Sequence, residues 1–266
     1  MVNLQQLIDA EIKKGYSADN ASAKICQDIV LKAISESTLR RNVTVKGGVV
    51  MRSKTNNVRR ATQDMDIDFI RYSLADDAID IFIDKLNCLE GISIKRTGDI
   101  TELKQQEYHG KRVFVIISDT NGNQIKSKID LGVHKRLEIE QEEYCFDIAY
   151  DDEGASLLIN TNEQMFSEKL RSLLKFGAFS TRYKDIFDMY YLKDHCEKEK
   201  LLNSLKVYIF NDEGMKENSI SDIVKRLQRV FSDKGYKRKL DSSDKRWIDE
   251  NIDVILNELL DFIGEI

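Results

Sequence analysis

Residues 60–70 read Arg60-Ala61-Thr62-Gln63-Asp64-Met65-Asp66-Ile67-Asp68-Phe69-Ile70. Successive side chains of a β-strand point to opposite faces. The alternation therefore predicts a strand over 64–70 with an apolar face (Met65, Ile67, Phe69) and an acidic face (Asp64, Asp66, Asp68). Carboxylates at i and i+2 stand about 7 Å apart along a strand. They repel one another unless a cation or water offsets the charge. One reading is the solvated face of an edge strand; the other is a seat for a divalent cation. Three carboxylates in alternation opposite a wholly apolar face favour the second.

The flanking sequence adds parts that suit phosphate chemistry. Upstream, Val43-Thr44-Val45 predicts a short strand, broken by Lys46-Gly47-Gly48, with a helix starting at Val49. Glycines between a strand and a helix let the backbone approach a phosphate, and the helix start offers unpaired N–H groups. Downstream, a helical period over 76–88 is followed by predicted strands at 92–98, 112–118 and 124–133, the last two flanking the turn signal Asn121-Gly122. In the last strand Ile125, Ile129, Leu131 and Val133 face one way, and Lys126, Lys128 and Asp130 the other. A strand placed beside the acidic one would bring Asp130 to its carboxylates. Mg²⁺ is held by one or two carboxylates plus substrate phosphates. Asp130 would bind metal or take an acceptor's proton.

The rest of the chain is more helical. Helices are predicted over 3–14 and 20–37, and from about residue 160 the pattern is mostly helical. Phe166, Leu170, Leu173 and Leu174 form one stripe, with further helices at 183–194, 197–209 and 218–231. The final stripe runs from Ile248 to Ile263, with Ser243 as its expected cap and Trp247 packed against it. The expected division is 1–150, N-terminal helices plus an α/β core, and 151–266, a helical C-terminal domain. The chain has 266 residues, and its 41 Lys+Arg against 46 Asp+Glu leave a net charge of −5. That balance argues against coating bulk nucleic acid but allows a local basic groove. Two basic clusters are candidates: Arg52, Lys54, Arg59 and Arg60, and Lys234, Lys237, Arg238 and Lys239 around Tyr236, for which a solvated loop is the alternative. Four scattered cysteines suit reduced thiols. The first residues lack a secretion-signal pattern, and no apolar run reaches the roughly 18 residues of a membrane helix. A cytoplasmic chain without membrane contact is expected. His109, His134 and His195 have no ligand spacing. With 0 prolines, turns and hinges fall to polar loops and to glycines such as Gly47-Gly48 and Gly177.

Four motifs in order carry a family resemblance. Gly47-Gly48 followed by Arg60-Ala61-Thr62-Gln63-Asp64-Met65-Asp66 resembles the first motif of nucleotidyltransferases with the polymerase-beta-like fold. Lys128-Ile129-Asp130-Leu131 resembles the K-x-D-h motif of the AbiEii/AbiGii abortive-infection toxins, which include the MenT-type toxins. Phe166-Ser167-Glu168-Lys169-Leu170 is similar to that family's lysine helix, and Tyr183 to Leu192 to its later h-x-D-h element. Glu163 stands where the family often has Asp, and the two-Asp pattern is stretched to three. The metal pair is thus Asp64/Asp66 or Asp66/Asp68, with the Arg-x-Thr-x-Asp-x-Asp spacing favouring the first. Asp185 and Asp188 both fit the h-x-D-h form, with Asp188 preferred.

The resemblance implies an α+β fold: a mixed-sheet nucleotidyltransferase core with flanking helices, then a helical C-terminal half. It implies an enzyme, the toxin of a toxin–antitoxin pair, moving NMP from an NTP to an acceptor such as the tRNA 3′ end and releasing pyrophosphate. The implied cofactor is Mg²⁺, with Mn²⁺ as its alternative, and a cognate antitoxin is the implied partner. The catalytic set is Asp64, Asp66, Asp130, Lys169 and Asp188. Lys46, Gly47, Gly48, Lys128 and Asp185 bind the nucleotide, and Asp64, Asp66, Asp68 and Asp130 are the metal carboxylates. The competing readings are transfer to a small molecule or protein, and a non-catalytic nucleotide- or RNA-binding relative.

Overall fold

The computed structural model describes residues 2–103, 110–136 and 138–266; His109 lies outside them. The chain forms two compact units, Met1–Asn160 and Thr161–Ile266.

The first unit is built on a sheet. Its strands are β1 (Val43–Lys46), β2 (Met65–Phe69), β3 (Ile92–Leu103), β4 (Gly110–Asp119), β5 (Gln124–Val133), β6 (Glu142–Phe146) and β7 (Ala155–Ile159). They lie in the order β3-β4-β5-β2-β1-β7-β6. The acidic strand β2 is therefore central, which excludes the edge-strand reading. Met65, Ile67 and Phe69 are buried, as the alternation requires. β2 runs antiparallel to β1 and parallel to β5, and this register sets Asp66 level with Asp130. β4 and β5 form the hairpin expected around Asn121-Gly122. At its turn the Asp119 carboxylate accepts hydrogen bonds from the backbone N–H groups of Asn121 (2.8 Å) and Asn123 (2.9 Å).

Among the described residues, four α-helices belong to this unit. α1 (Leu4–Lys13) is capped by Asn3 and α2 (Ala18–Glu36) by Ser17. The predicted stripe of α2, Ile25, Cys26, Ile29, Val30 and Ala33, is fully buried. α3 (Gly47–Thr55) follows β1 without an intervening loop, and α4 (Asp76–Lys85) follows β2.

The second unit is helical: α5 (Asn162–Phe176), α6 (Tyr183–Leu192), α7 (Lys198–Leu205), α8 (Ile220–Phe231), α9 (Lys234–Asp241) and α10 (Ile252–Gly264). The α5 stripe of Phe166, Leu170, Leu173 and Leu174 is buried, as are Ile255, Leu256, Leu259 and Ile263 of α10. Among the described residues no helix is long and apolar enough to cross a membrane.

Four expectations are corrected. No strand is expected after residue 133, yet β6 and β7 follow it, β7 within the part expected to be helical. The basic segment 234–239 is helix rather than loop: Asp233 caps it by accepting from Tyr236 N at 2.7 Å, and Tyr236 and Leu240 are buried. The last helix begins at Ile252 with Asn251 as its cap, so Ser243 and Ile248 precede it. The first basic cluster is no exposed patch. Arg52 and Arg60 are buried, Arg52 donating to Asp28 at 3.0 Å, while Lys54 stands over the Tyr144 ring.

Candidate active site

In the first unit, β2 and β5 bring the acidic residues together. The parallel register places Asp66 opposite Asp130, with Asp68 two residues along the strand and Asp64 just before it. Three of these carboxylates meet a cation of the chain. Lys46 Nζ lies 2.7 Å from Asp68 Oδ1, an ion pair without hydrogen-bond alignment. Lys128 Nζ lies 2.7 Å from Asp64 Oδ1. Arg112 Nε and Nη2 donate to the two Asp130 oxygens at 2.7 and 2.8 Å. Asp66 has no hydrogen-bond or ion-pair partner among the described residues. Burial pushes its carboxyl up to about 6; Lys46 draws it down, while Asp130, Asp64 and Asp68 add to the rise.

The neighbouring glycines are shaped by these carboxylates. Gly47, the first residue of α3, has φ +66°, and a Cβ there would stand 2.7 Å from Asp66 Oδ2. Only glycine tolerates both the left-handed backbone and that approach. A Cβ on Gly48 would stand 2.5 Å from Thr62 Oγ1. Gly132 of β5 is a third such position, where a Cβ would overlap Asp68 Oδ1. Arg112 and Gly132 were not legible as site residues. Arg112 sits in an ordinary strand pattern, and its role follows from the register Arg112↔Asp130.

The donor set is oxygen-only, and Asp66 is a packed carboxylate short of a counter-charge. Both features fit a hard divalent cation such as Mg²⁺. Among the described residues no three metal-ligating side chains already converge. Asp64, Asp68 and Asp130 are turned to Lys128, Lys46 and Arg112 instead.

The second unit holds the other predicted residues. Lys169 of α5 donates to Asp185 Oδ1 at 2.7 Å and pairs with Asp188 Oδ2 at 2.7 Å, both on α6. Residues i and i+3 share a helix face, so α6 presents both carboxylates to one ammonium. Arg182 Nε donates to Asp185 Oδ2 at 2.7 Å, and Trp247 Nε1 to Asp188 Oδ1 at 3.1 Å. Trp247 thus does more than pack the last helix. Lys169 and Asp185 are buried, and the Asp188 side chain is 0% exposed. Asp188 is enclosed, and its contacts are those of an anchor for Lys169. Glu163, in the position where Asp was expected, is buried and accepts from Glu197 N at 2.8 Å. His134 is also buried, and His195 stacks on Tyr191.

The first unit thus places carboxylates on adjacent central strands of a mixed sheet, next to a helix that starts on two glycines. The fold is shared with solved structures. MenT4, a nucleotidyltransferase toxin from Mycobacterium tuberculosis H37Rv, superposes with a TM-score of 0.53 at 13% identity, over 97% of this chain and 99% of that one. An antigenic nucleotidyltransferase-like protein from Paracoccidioides brasiliensis gives 0.51 at 12% identity, over 82% and 91%. No curated protein matches the chain in sequence. The family model of the nucleotidyl transferase AbiEii toxin, Type IV TA system, matches residues 29–256. The chain belongs to that family, and is a nucleotidyltransferase of the toxin–antitoxin type. Membership carries an NTP substrate and a cognate antitoxin.

Proposed function

We propose that this enzyme transfers a nucleoside monophosphate from an NTP, in a Mg²⁺-dependent reaction, to the 3′ end of an RNA, with tRNA as the acceptor and the cytoplasm as the place. The observation that carries this reading is Asp66, without a hydrogen-bond or ion-pair contact among the described residues and level with Asp130 on the neighbouring strand. Asp64 and Asp66 would hold the cation: Asp68 is buried against Lys46, whereas the Asp64–Lys128 pair is open to solvent and free to exchange. When bound, the metal supplies charge neutralisation at the phosphates and at the departing pyrophosphate.

The chain's own groups account for the rest. The acceptor hydroxyl oxygen forms a bond to the α-phosphorus. The bond from that phosphorus to the bridging oxygen of the β-phosphate breaks, and pyrophosphate leaves. The hydroxyl proton passes to the Asp130 carboxylate, which Arg112 orients through two hydrogen bonds. The first N–H groups of α3, at Gly47 and Gly48, suit a phosphate oxygen, with Lys46 as a flanking cation. Lys169 stands where the family resemblance puts its helical lysine. Asp185 and Asp188 are positioning residues that fix its ammonium.

The test is incubation with labelled NTPs, Mg²⁺ and total RNA. Label should pass to RNA with the wild type and fall by about a thousandfold or more in Asp66→Ala, the scale of losing a main electrostatic element. No transfer by the wild type, or equal transfer by the variant, sinks the proposal. Label on a small molecule or protein with RNA untouched replaces the acceptor class. NTP binding indifferent to metal, without turnover, supports a non-catalytic relative.

A further inference from the structure

The face of the sheet that carries Asp130 continues away from it as an ordered row. In the β4–β5 ladder the directly opposed pairs are Arg112↔Asp130, Phe114↔Lys128 and Ile116↔Lys126. Opposed residues put their side chains on the same face, and every second residue repeats that face. From Asp130 the row thus passes Lys128 at about 7 Å and Lys126 at about 14 Å, with Phe114 beside Lys128.

This row borders an open cleft of about 590 Å³, within the range of ligand sites. Phe114, Lys126, Lys128, Thr97, Gln63 and Asp19 are among its lining. Two features of the sheet open it. β5 starts at Gln124 but meets β2 only from Ile129, so among the described residues no strand pairs with its first residues on that side. On the other side, β3 leaves register with β4 between Thr97 and Thr101, a bulge beginning at Gly98, around which there is open space. The bulge turns the sheet edge aside next to Phe114, which is 41% exposed. Lys126 is exposed and has no ion-pair partner among the described residues. Lys128 joins the cleft to the carboxylates through Asp64.

We propose that this cleft seats the end of the acceptor, a single-stranded RNA. A base stacks on Phe114, backbone phosphates lie along Lys126 and Lys128, and Asp19 and Thr97 meet sugar hydroxyls or exocyclic amines. Aromatic stacking and a cationic track are the means by which proteins hold unpaired strands. Two lysines spaced along a strand suit a row of backbone phosphates better than a single triphosphate. The inference rests on the RNA reading of the acceptor given above.

The test uses the full-length chain and a fluorescent single-stranded RNA of about twelve nucleotides, with anisotropy read over a salt series. Phe114→Ala should weaken binding by about tenfold, the scale of one lost base stack, and Phe114→Tyr should restore it. Lys126→Ala should weaken binding and flatten the dependence of log affinity on log salt by about 0.7, the value for one phosphate contact on a single strand. NTP affinity, measured separately by calorimetry, should not move in either variant. RNA affinity unchanged in both variants overturns the cleft, even while label transfer to RNA by the wild type upholds the acceptor class. NTP affinity lost in Phe114→Ala also overturns it, because the cleft would then hold the donor's base. Failure of the wild type to label or bind any RNA overturns the acceptor reading and the cleft together.

Discussion

Two clusters of carboxylates and cations, one in each unit, differ in how far their charges are satisfied. On the sheet, Asp64, Asp66, Asp68 and Asp130 face Lys128, Lys46 and Arg112, and Asp66 is left over. In the helical unit, Asp185 and Asp188 face Lys169 and Arg182, and Trp247 adds a hydrogen bond to Asp188. The second cluster is balanced, with Lys169, Asp185 and Asp188 buried and Arg182 at the surface, and its bonding is structural. The first is one positive charge short, and its excess sits on the residue packed most closely against Gly47. A site built to receive a cation is expected to be uncomfortable without one. A site built to hold one lysine still is expected to be stable as it stands. Equal-looking substitutions should therefore act in opposite directions in the two places.

The largest stability effect belongs to the balanced cluster. Asp188→Ala removes one partner of a buried pair and leaves Lys169 with less compensation. Denaturant unfolding should show a loss of about 3–5 kcal/mol. A loss below about 1 kcal/mol would break the comparison, since the cluster would not be the anchor its bonding describes.

The unbalanced cluster should respond with the opposite sign. Asp66 titrates at about 6 in the fold against an ordinary 3.8. The folded state therefore binds the proton more tightly than the unfolded chain, and the group's penalty is absent below pH about 4 and complete above about 6. Metal-free Asp66→Asn should match the wild type near pH 4 and be more stable by about 2–3 kcal/mol at pH 8, following the pKa difference at 1.36 kcal/mol per unit. Chemical unfolding across that range, with chelator present, is the measurement. Destabilisation at pH 8 would show that Asp66 is already satisfied.

The smallest effect sharpens the anchor. Trp247→Phe keeps the aromatic packing but deletes the hydrogen bond to Asp188. It should cost about 1–2 kcal/mol and lower transfer only as far as Lys169 loses its position. A change in unfolding free energy equal to that of Asp188→Ala would mean the ring, not the ion pair, organises the cluster.

Much of this was legible in the chain, and what was missed has identifiable causes. The Asp64–Phe69 alternation predicts the strand and its buried face because a period of two is local. Asn121-Gly122 predicts the hairpin because turn chemistry is local as well. β6 and β7 lack a legible period of two: Glu142 and Glu143 mask the short apolar run of β6, and Leu157-Leu158-Ile159 of β7 is a continuous apolar run that a helix could equally carry. α9 escaped because its exposed face is almost wholly basic, and only Tyr236 and Leu240 mark the buried side. Arg52 and Arg60 read as surface cations because burial of an arginine depends on a distant partner, here Asp28 for Arg52.

By itself, the sequence determined the types of element, the acidic and apolar faces of β2, the Lys169 stripe and the order of four motifs. These rest on short-range periodicity and spacing. Only the tertiary structure decided that β2 is central, that β5 lies beside it in parallel register, and that Asp66 alone among the four carboxylates makes no ion-pair contact among the described residues. It also decided that one lysine is shared by Asp185 and Asp188. Strand order and register are set by packing between segments far apart in the chain, and a charge's partner is set by that same packing.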